Sequence, residues 1–229
     1  MPTPSSRTAP PRSGAVILCG GRSRRMGRDK AWLPFGEETL LQRVVRIAAE
    51  ATAEARVVVV AAAGQDLPQL PPAVRVVRDE IDDAGPLPAL AAGLAAAAQG
   101  AAVAFVSACD VPRLTPAAVE FLCCRLANES PEVAALIPVA GGESHPLTAA
   151  YRTSAAARLQ AAVAAGERSV RRALESLAVT PVDEAVLRRV DPQLAMFACC
   201  NTPAEYAAAM AAASDCSPWP SNAQTGRVD

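Results

Sequence analysis

The sequence predicts an α/β fold, three-layered (α/β/α) and Rossmann-like around a mostly parallel central sheet, and three observations carry that expectation. Short continuous aliphatic runs, Ala15-Val16-Ile17-Leu18, Val57-Val58-Val59-Val60 and Ala102-Val103-Ala104-Phe105-Val106, read as strands covered on both faces. Segments with helical spacing of apolar residues alternate with these runs, the pattern that builds a parallel sheet with helices on both sides. The chain has 229 residues and is 51% hydrophobic with only 3% aromatic residues, so its core must be made of Ala, Val and Leu. Small-residue helices packed on an aliphatic sheet suit that composition.

Residues 1–13 are polar and proline-rich and read as a disordered leader without the apolar stretch of a secretory signal. The first strand is expected at Gly14–Leu18, followed by a basic loop that Leu33-Pro34-Phe35-Gly36 closes with turn chemistry. Leu40, Leu41, Val44, Val45, Ile47 and Ala48 recur at helical spacing between Thr39 and Ala53. The Val57–Val60 strand comes next, then a short one at Val74–Val77 whose segment ends at Asp79. Gly85-Pro86 opens a run of small residues ended by Gly100, with proline at the first turn and glycine beyond the last. The Ala102–Val106 strand delivers Asp110 just past its end, Thr115-Pro116 caps a helix to about Asn128, and a further strand is expected at Val133–Val139.

The second half is less regular. Thr148–Tyr151 reads as an antiparallel edge strand, Ser154–Ala165 and Ser169–Leu177 as helices, Val179–Val182 and Ala195–Ala198 as short strands. Thr202-Pro203-Ala204-Glu205 fits a capping box that starts a helix to about Ala213. One domain over residues 14–213, with a frayed tail at 214–229, is the expected organisation. The formal net charge of −1 gives no reason to expect nucleic acid or an anionic membrane surface as a partner. No apolar run approaches the roughly 20 residues needed to span a bilayer, so a cytoplasmic location is expected. None of the seven cysteines has C-x-x-C spacing and there is one histidine, so buried free thiols are expected rather than a metal site.

The stretch Leu18 to Lys30 carries the chemistry. Gly20 and Gly21 allow a tight turn, and Arg22, Arg24, Arg25, Arg28 and Lys30 are opposed only by Asp29. In a chain so nearly neutral, that density asks for an anion, and a glycine-turned loop after a strand points to phosphate. The loop is neither Walker A nor G-x-G-x-x-G. Ligands of open α/β sheets bind at the carboxyl ends of the strands, where Asp79 with Gly85-Pro86-Leu87 and Asp110 are also expected. A carboxylate facing a phosphate loop needs a cation between them, and Mg2+, which takes one or two carboxylates plus phosphate oxygens, is the natural bridge.

Leu18-Cys-Gly-Gly-Arg-Ser-Arg-Arg-Met-Gly-Arg-Asp-Lys30 resembles the nucleotide-binding signature of the molybdenum cofactor guanylyltransferases, within the wider MobA-like nucleotidyltransferases. The likeness continues through Asp79 with Gly85-Pro86-Leu87, Ser107-Ala108-Cys109-Asp110-Val111-Pro112, His145-Pro146-Leu147 and Asn201-Thr202-Pro203. It implies a sheet of the nucleotide-diphospho-sugar transferase type and transfer of GMP from GTP to molybdenum-carrying molybdopterin, with release of pyrophosphate. It implies further that Leu18, Cys19, Gly20 and Gly21 lie under the nucleoside, that Arg25 and Lys30 hold the triphosphate, that Asp79 contacts the nucleoside and that Asp110 binds Mg2+. His145 and Asn201 fall on the pterin side in this resemblance, although His145 reads equally as a turn residue before Pro146. Molybdopterin-supplying proteins and recipient molybdoenzymes are the protein partners it implies.

Two places depart from the pattern of the resembled family: Cys199 stands at the first position of its Asn-x-Asn-Thr-Pro, and an alanine, at Ala61 or close by, stands where an asparagine is usual just after the second strand. Transfer of CMP to the same cofactor is the alternative within the family; those enzymes tend to carry Ala-Gly where this chain has Gly20-Gly21. A sugar-phosphate nucleotidyltransferase fits Asn201-Thr202-Pro203 less well. A non-catalytic carrier of nucleotide or molybdopterin is the alternative of another class, against which Lys30 and Asp110 both argue.

Overall fold

The computed structural model describes residues 12–20, 28–53, 56–79 and 85–214. Strand β1 (Ser13–Leu18) begins one residue before the expected boundary of the leader, because Ser13 already pairs with Val103. A small hairpin follows, β2 (Pro34–Phe35) and β3 (Glu38–Thr39), in place of the simple turn expected at Leu33–Gly36. Gly36 turns it at φ +67°, a conformation glycine adopts without strain. Helix α1 (Leu40–Ala51) starts in a capping box: Gln42 N–H donates to Thr39 Oγ1 at 3.3 Å, and Gln42 Oε1 accepts from Thr39 N–H at 2.9 Å.

The chain continues through β4 (Val57–Ala62), β5 (Arg75–Asp79), α2 (Pro86–Ala97), β6 (Val103–Ala108) and α3 (Pro116–Asn128). After these come β7 (Ala135–Ala140), β8 (Glu143–Ser144), β9 (Thr148–Arg152), α4 (Ala156–Ala164) and α5 (Val170–Leu174). The last elements are β10 (Val179–Asp183), α6 (Glu184–Leu187) and α7 (Pro203–Ser214). The main sheet has the order β10-β7-β9-β6-β1-β4-β5, with β8 paired to β7. All strands on that path are parallel except β9, which is antiparallel to both β6 and β7.

The aliphatic runs are buried on both sides. Ala15, Ile17, Val57, Val59, Val103 and Phe105 face a cluster with α1 and α3 that includes Leu41, Val44, Val119 and Leu122. Val16, Leu18, Val58, Val60, Ala104 and Val106 face the opposite cluster, with Leu87, Leu90 and Leu94 of α2 and Leu159 of α4. Strand side chains alternate between faces, so a run without polar residues can serve both helix layers at once. Each fully buried Val or Leu contributes at most about 1.5–3 kcal/mol. Gly93 sets how closely α2 lies on the sheet: a Cβ there would sit 2.3 Å from Val16 Cγ1 and 2.9 Å from Val60 Cγ2.

Three expectations for the second half are corrected. Thr148–Tyr151 is not an edge strand: β9 lies inside the sheet, with Ala149, Ala150 and Tyr151 fully buried. Its few small residues carry too little β preference to distinguish an inner strand from an edge. Ala195–Ala198 is not a strand; Ala195–Phe197 is a 3-10 turn, entered through Leu194 at φ 53° and capped by the Asp191 carboxylate, which accepts from Met196 N–H at 2.7 Å. The Ser169–Leu177 helix is shorter, Val170–Leu174, with Ser169 as its cap. Among the described residues, no helix is long and apolar enough to cross a membrane.

Candidate nucleotidyl-transfer site

Parallel pairing brings the carboxyl ends of four strands to one edge. Leu18 is opposite Val60 and Ala108, and Ala62 is opposite Asp79. Because β9 runs the other way, its first residue, Thr148, pairs with Ser107, which delivers His145-Pro146-Leu147 to the same edge. The edge is thus where the sequence signatures meet.

At its centre Lys30 Nζ donates to Asp110 Oδ2 at 2.5 Å and to Asn201 Oδ1 at 2.7 Å. The Lys30 and Asp110 side chains retain 18% and 9% of their exposure, so the pair is shielded enough to be strong and open enough for a ligand to enter. Residues 80 and 171 positions apart in sequence are joined by these two bonds. Asp110 is held because the β6 ladder runs one residue past the strand, Cys109 N–H donating to Leu18 O at 3.0 Å. Asp110 O also accepts from Cys200 N–H at 2.9 Å, which fastens the segment bearing Asn201.

That segment, residues 191–201, is a strap across the edge. Its Phe197 ring stacks on His145, with centroids 4.2 Å apart and planes at 26°. His145 is further held by its N–H to Pro138 O at 2.9 Å and by Nε2 at 3.4 Å from Ala140 O. His145 is thus a turn residue, and it stands at the same edge as Asp110. Asn201 and Thr202 N–H both donate to Glu205 Oε2 at 2.8 Å, and Glu205 N–H returns to Thr202 Oγ1 at 3.2 Å, the expected capping box of α7. The Tyr206 hydroxyl donates to Pro34 O, and Tyr206, Ala209 and Met210 pack on Leu33, Phe35 and Leu40, which seats α7 on the hairpin.

Asp79 ends β5, three strands from β6. At about 4.8 Å per strand the two carboxylate-bearing ends are about 14 Å apart along the edge. Gly20 has a structural reason of its own: its Cβ would lie 3.2 Å from Ala62 N, so the chain leaving β1 runs against the end of β4. Gly85, at φ 74° and ψ −172°, occupies a region essentially restricted to glycine and starts α2 without a side-chain cap. Gly21 and Arg25, with Arg22 and Arg24, lie outside the described residues; Arg28 is exposed.

Sequence reasoning missed Gln65. Its amide donates to Asp29 Oδ2 at 2.8 Å and to Cys19 O at 3.3 Å, while its Oε1 accepts from Ala62 N–H at 3.0 Å. A single glutamine in a turn belongs to no motif, and only the fold shows what it faces. Ala61 is fully buried within β4.

The described cysteines are free thiols. The Cys109 thiol is held well above its usual range, first by a hydrogen bond with Cys19 and then by burial. Burial, followed by the Asp110 charge, pushes Cys199 up to about 11 and Cys200 up to about 12. Neutral thiols thus surround the Lys30–Asp110 pair at physiological pH. Among the described residues no group of three or more His, Cys, Asp or Glu side chains could hold a metal ion. The donor set that fits a divalent cation is the Asp110 carboxylate with phosphate oxygens and water, which suits Mg2+.

The carboxyl edge of a three-layer α/β/α sheet is where such folds take their ligands, and here it carries a lysine–carboxylate pair. The match of residues 15–182 to the MobA-like NTP transferase domain is specific, and the chain belongs to that family. A Mycobacterium tuberculosis protein named "Probable molybdenum cofactor guanylyltransferase" is 48% identical over 158 residues, covering 68% of this chain and 75% of that one. A Mycobacterium avium protein of the same name is 43% identical over 164 residues, covering 70% and 80%. The fold is shared with molybdopterin-guanine dinucleotide biosynthesis protein A from Archaeoglobus fulgidus, at TM-score 0.71 and 24% identity over 88% of this chain and 99% of that one.

Proposed function

We propose that the protein transfers GMP from GTP to molybdenum-molybdopterin, giving molybdopterin guanine dinucleotide and pyrophosphate. The observation that carries this reading is the Asp110–Lys30–Asn201 constellation at the carboxyl edge, about 14 Å from Asp79 at the strand spacing. That separation leaves room for a nucleoside lying over Leu18 to Gly20 towards Asp79, with its triphosphate reaching Lys30 and Asp110. The names of the mycobacterial relatives support guanylyl transfer in particular.

Lys30 donates to the Asp110 carboxylate and to the Asn201 amide oxygen; a triphosphate offers it denser negative charge, so nucleotide binding draws the ammonium from Asp110 towards phosphate. Asp110 is then the residue to hold Mg2+, which when bound neutralises the phosphate oxygens and eases loss of pyrophosphate. Arg25, by resemblance, meets the same phosphates. Asn201 keeps Lys30 aimed, and the strap lines the acceptor side with His145 and Phe197. The attacking cofactor phosphate is already an anion, so positioning and charge neutralisation replace a general base. The described cysteines are free thiols, which fits the reducing cytoplasm where we place the protein. The test is pyrophosphate release from GTP and from CTP with Mg2+ and molybdenum-molybdopterin. Release from GTP is expected; release from CTP alone, or binding of both without turnover, contradicts the reading.

A further inference from the structure

Lys30 is aimed from a short turn, and the loop after β4 holds that turn at two points. Gln65 Nε2 donates to Asp29 Oδ2 at 2.8 Å, and Asp29 Oδ1 accepts from Ala31 N–H at 2.9 Å, which caps the 3-10 turn Lys30–Trp32. At the other end of the turn, Trp32 Nε1 donates to Asp66 O at 3.0 Å. Lys30 sits between these ties.

The loop is itself rigid. Gln65 N–H donates to Ala62 O at 3.2 Å, Ala63 N–H to Asp79 O at 3.0 Å, and the Arg78 guanidinium donates to Ala62 O at 3.2 Å and Gln65 O at 2.6 Å. Gly64 provides the φ of +68° that the turn requires. The Gln65 amide is thereby oriented, its oxygen taken by Ala62 N–H and its nitrogen by a charged carboxylate.

We infer that Gln65 is a positioning residue for nucleotidyl transfer, acting through Asp29 to hold Lys30 on the transferring phosphates; the inference rests on the function proposed above. Gln65→Glu is the sharp variant, because it keeps the shape and the acceptor for Ala62 but sets a carboxylate against Asp29. Gln65→Glu with Asp29→Asn restores one donor and one acceptor at the same net charge. Misplacing a phosphate-binding group by about 1 Å costs on the order of 100-fold, and losing a supporting hydrogen bond about 10–100-fold.

Three readouts decide the matter: kcat, KM for GTP, and the rate at which an acylating reagent modifies Lys30, followed by mass spectrometry on the free protein. Gln65→Glu is expected to lower kcat about 10–100-fold while changing KM for GTP much less, and to raise Lys30 acylation several-fold. The double variant is expected to reverse most of both changes without a matching change in melting temperature. Wild-type kcat and wild-type acylation in Gln65→Glu overturn the inference, as does a double variant no better than the single. If wild-type protein turns over no nucleotide but acylation follows the expected pattern, the proposed function fails and the positioning of Lys30 by Gln65 stands.

Discussion

The two halves of the sheet are built by different means. The β1-β4-β5-β6 half is all parallel, and β1, β4 and β6 are almost wholly apolar runs clamped between α1, α3 and α2, with the more polar β5 at its outer edge. The loops that follow its strands emerge together at the carboxyl edge because parallel pairing points every strand the same way. The β7-β9-β10 half contains an antiparallel strand, β9, which pairs it to β6, and the strap of residues 191–201 adds a second tie to the centre. The first half offers a scaffold whose geometry follows from burial. The second adds to its own buried residues, Leu136, Ala149 and Tyr151 among them, the hydrogen bonds and the ring stack of the strap. In the proposed function the first half holds the nucleotide and the second receives the pterin, and Asp110 belongs to both, through Lys30 and through Cys200.

Removal of that shared group is expected to have the largest effect. Asp110→Asn should lower kcat on the order of 10^3-fold, as does loss of an electrostatic stabiliser at a reacting centre, in steady-state pyrophosphate release. Retention of wild-type kcat removes both the metal role and the shared role of Asp110. The scaffold half comes next: Gly93→Ala forces a methyl between Val16 and Val60 and should destabilise the protein by about 1–3 kcal/mol in urea melts. An unchanged midpoint would mean that α2 lifts off the sheet without cost.

For the other half, Phe197→Ala removes the stack on His145 and should cost about 0.5–1.5 kcal/mol beyond the loss of burial. Its kinetic signature should be a raised KM for molybdopterin with KM for GTP unchanged; a change in the GTP value instead would erase the division between halves. The smallest effect expected is at Cys199. Burial raises this thiol to about 11. Its alkylation should therefore climb about tenfold per pH unit from pH 7 to 10, where an ordinary thiol levels off near its pKa of about 8.5. Levelling near pH 9 would show that the strap does not bury this thiol.

This contrast also explains what the sequence could reveal. Val57–Val60 and Ala15–Leu18 predict their own environment, since a run with no polar face must be covered twice. Thr115-Pro116, Gly85-Pro86 and Thr202-Pro203 mark helix starts through local chemistry, and each does start a helix. Lys30, Asp110 and Asn201 were legible as family signatures, and the fold joins them. Thr148–Arg152 was legible as an antiparallel strand but not as an inner one, because that place depends on pairing with both Ser107 and Leu136, and the Ala195–Phe197 turn was not legible because it depends on the Asp191 carboxylate and the stack on His145. Gln65 was invisible for the same reason: its three partners, Cys19, Asp29 and Ala62, come together only when β1 lies beside β4.

The central claim is that this edge moves a guanylyl group from GTP to the pterin. The most direct measurement follows label from GTP carrying radioactive phosphorus at the α-position, with Mg2+ and molybdenum-molybdopterin, in wild-type protein and in Asp110→Asn. Label is predicted in a pterin-bound dinucleotide with wild-type protein and not with the variant. Label that stays in GTP with wild-type protein, or that reaches the pterin equally in both, would contradict the account.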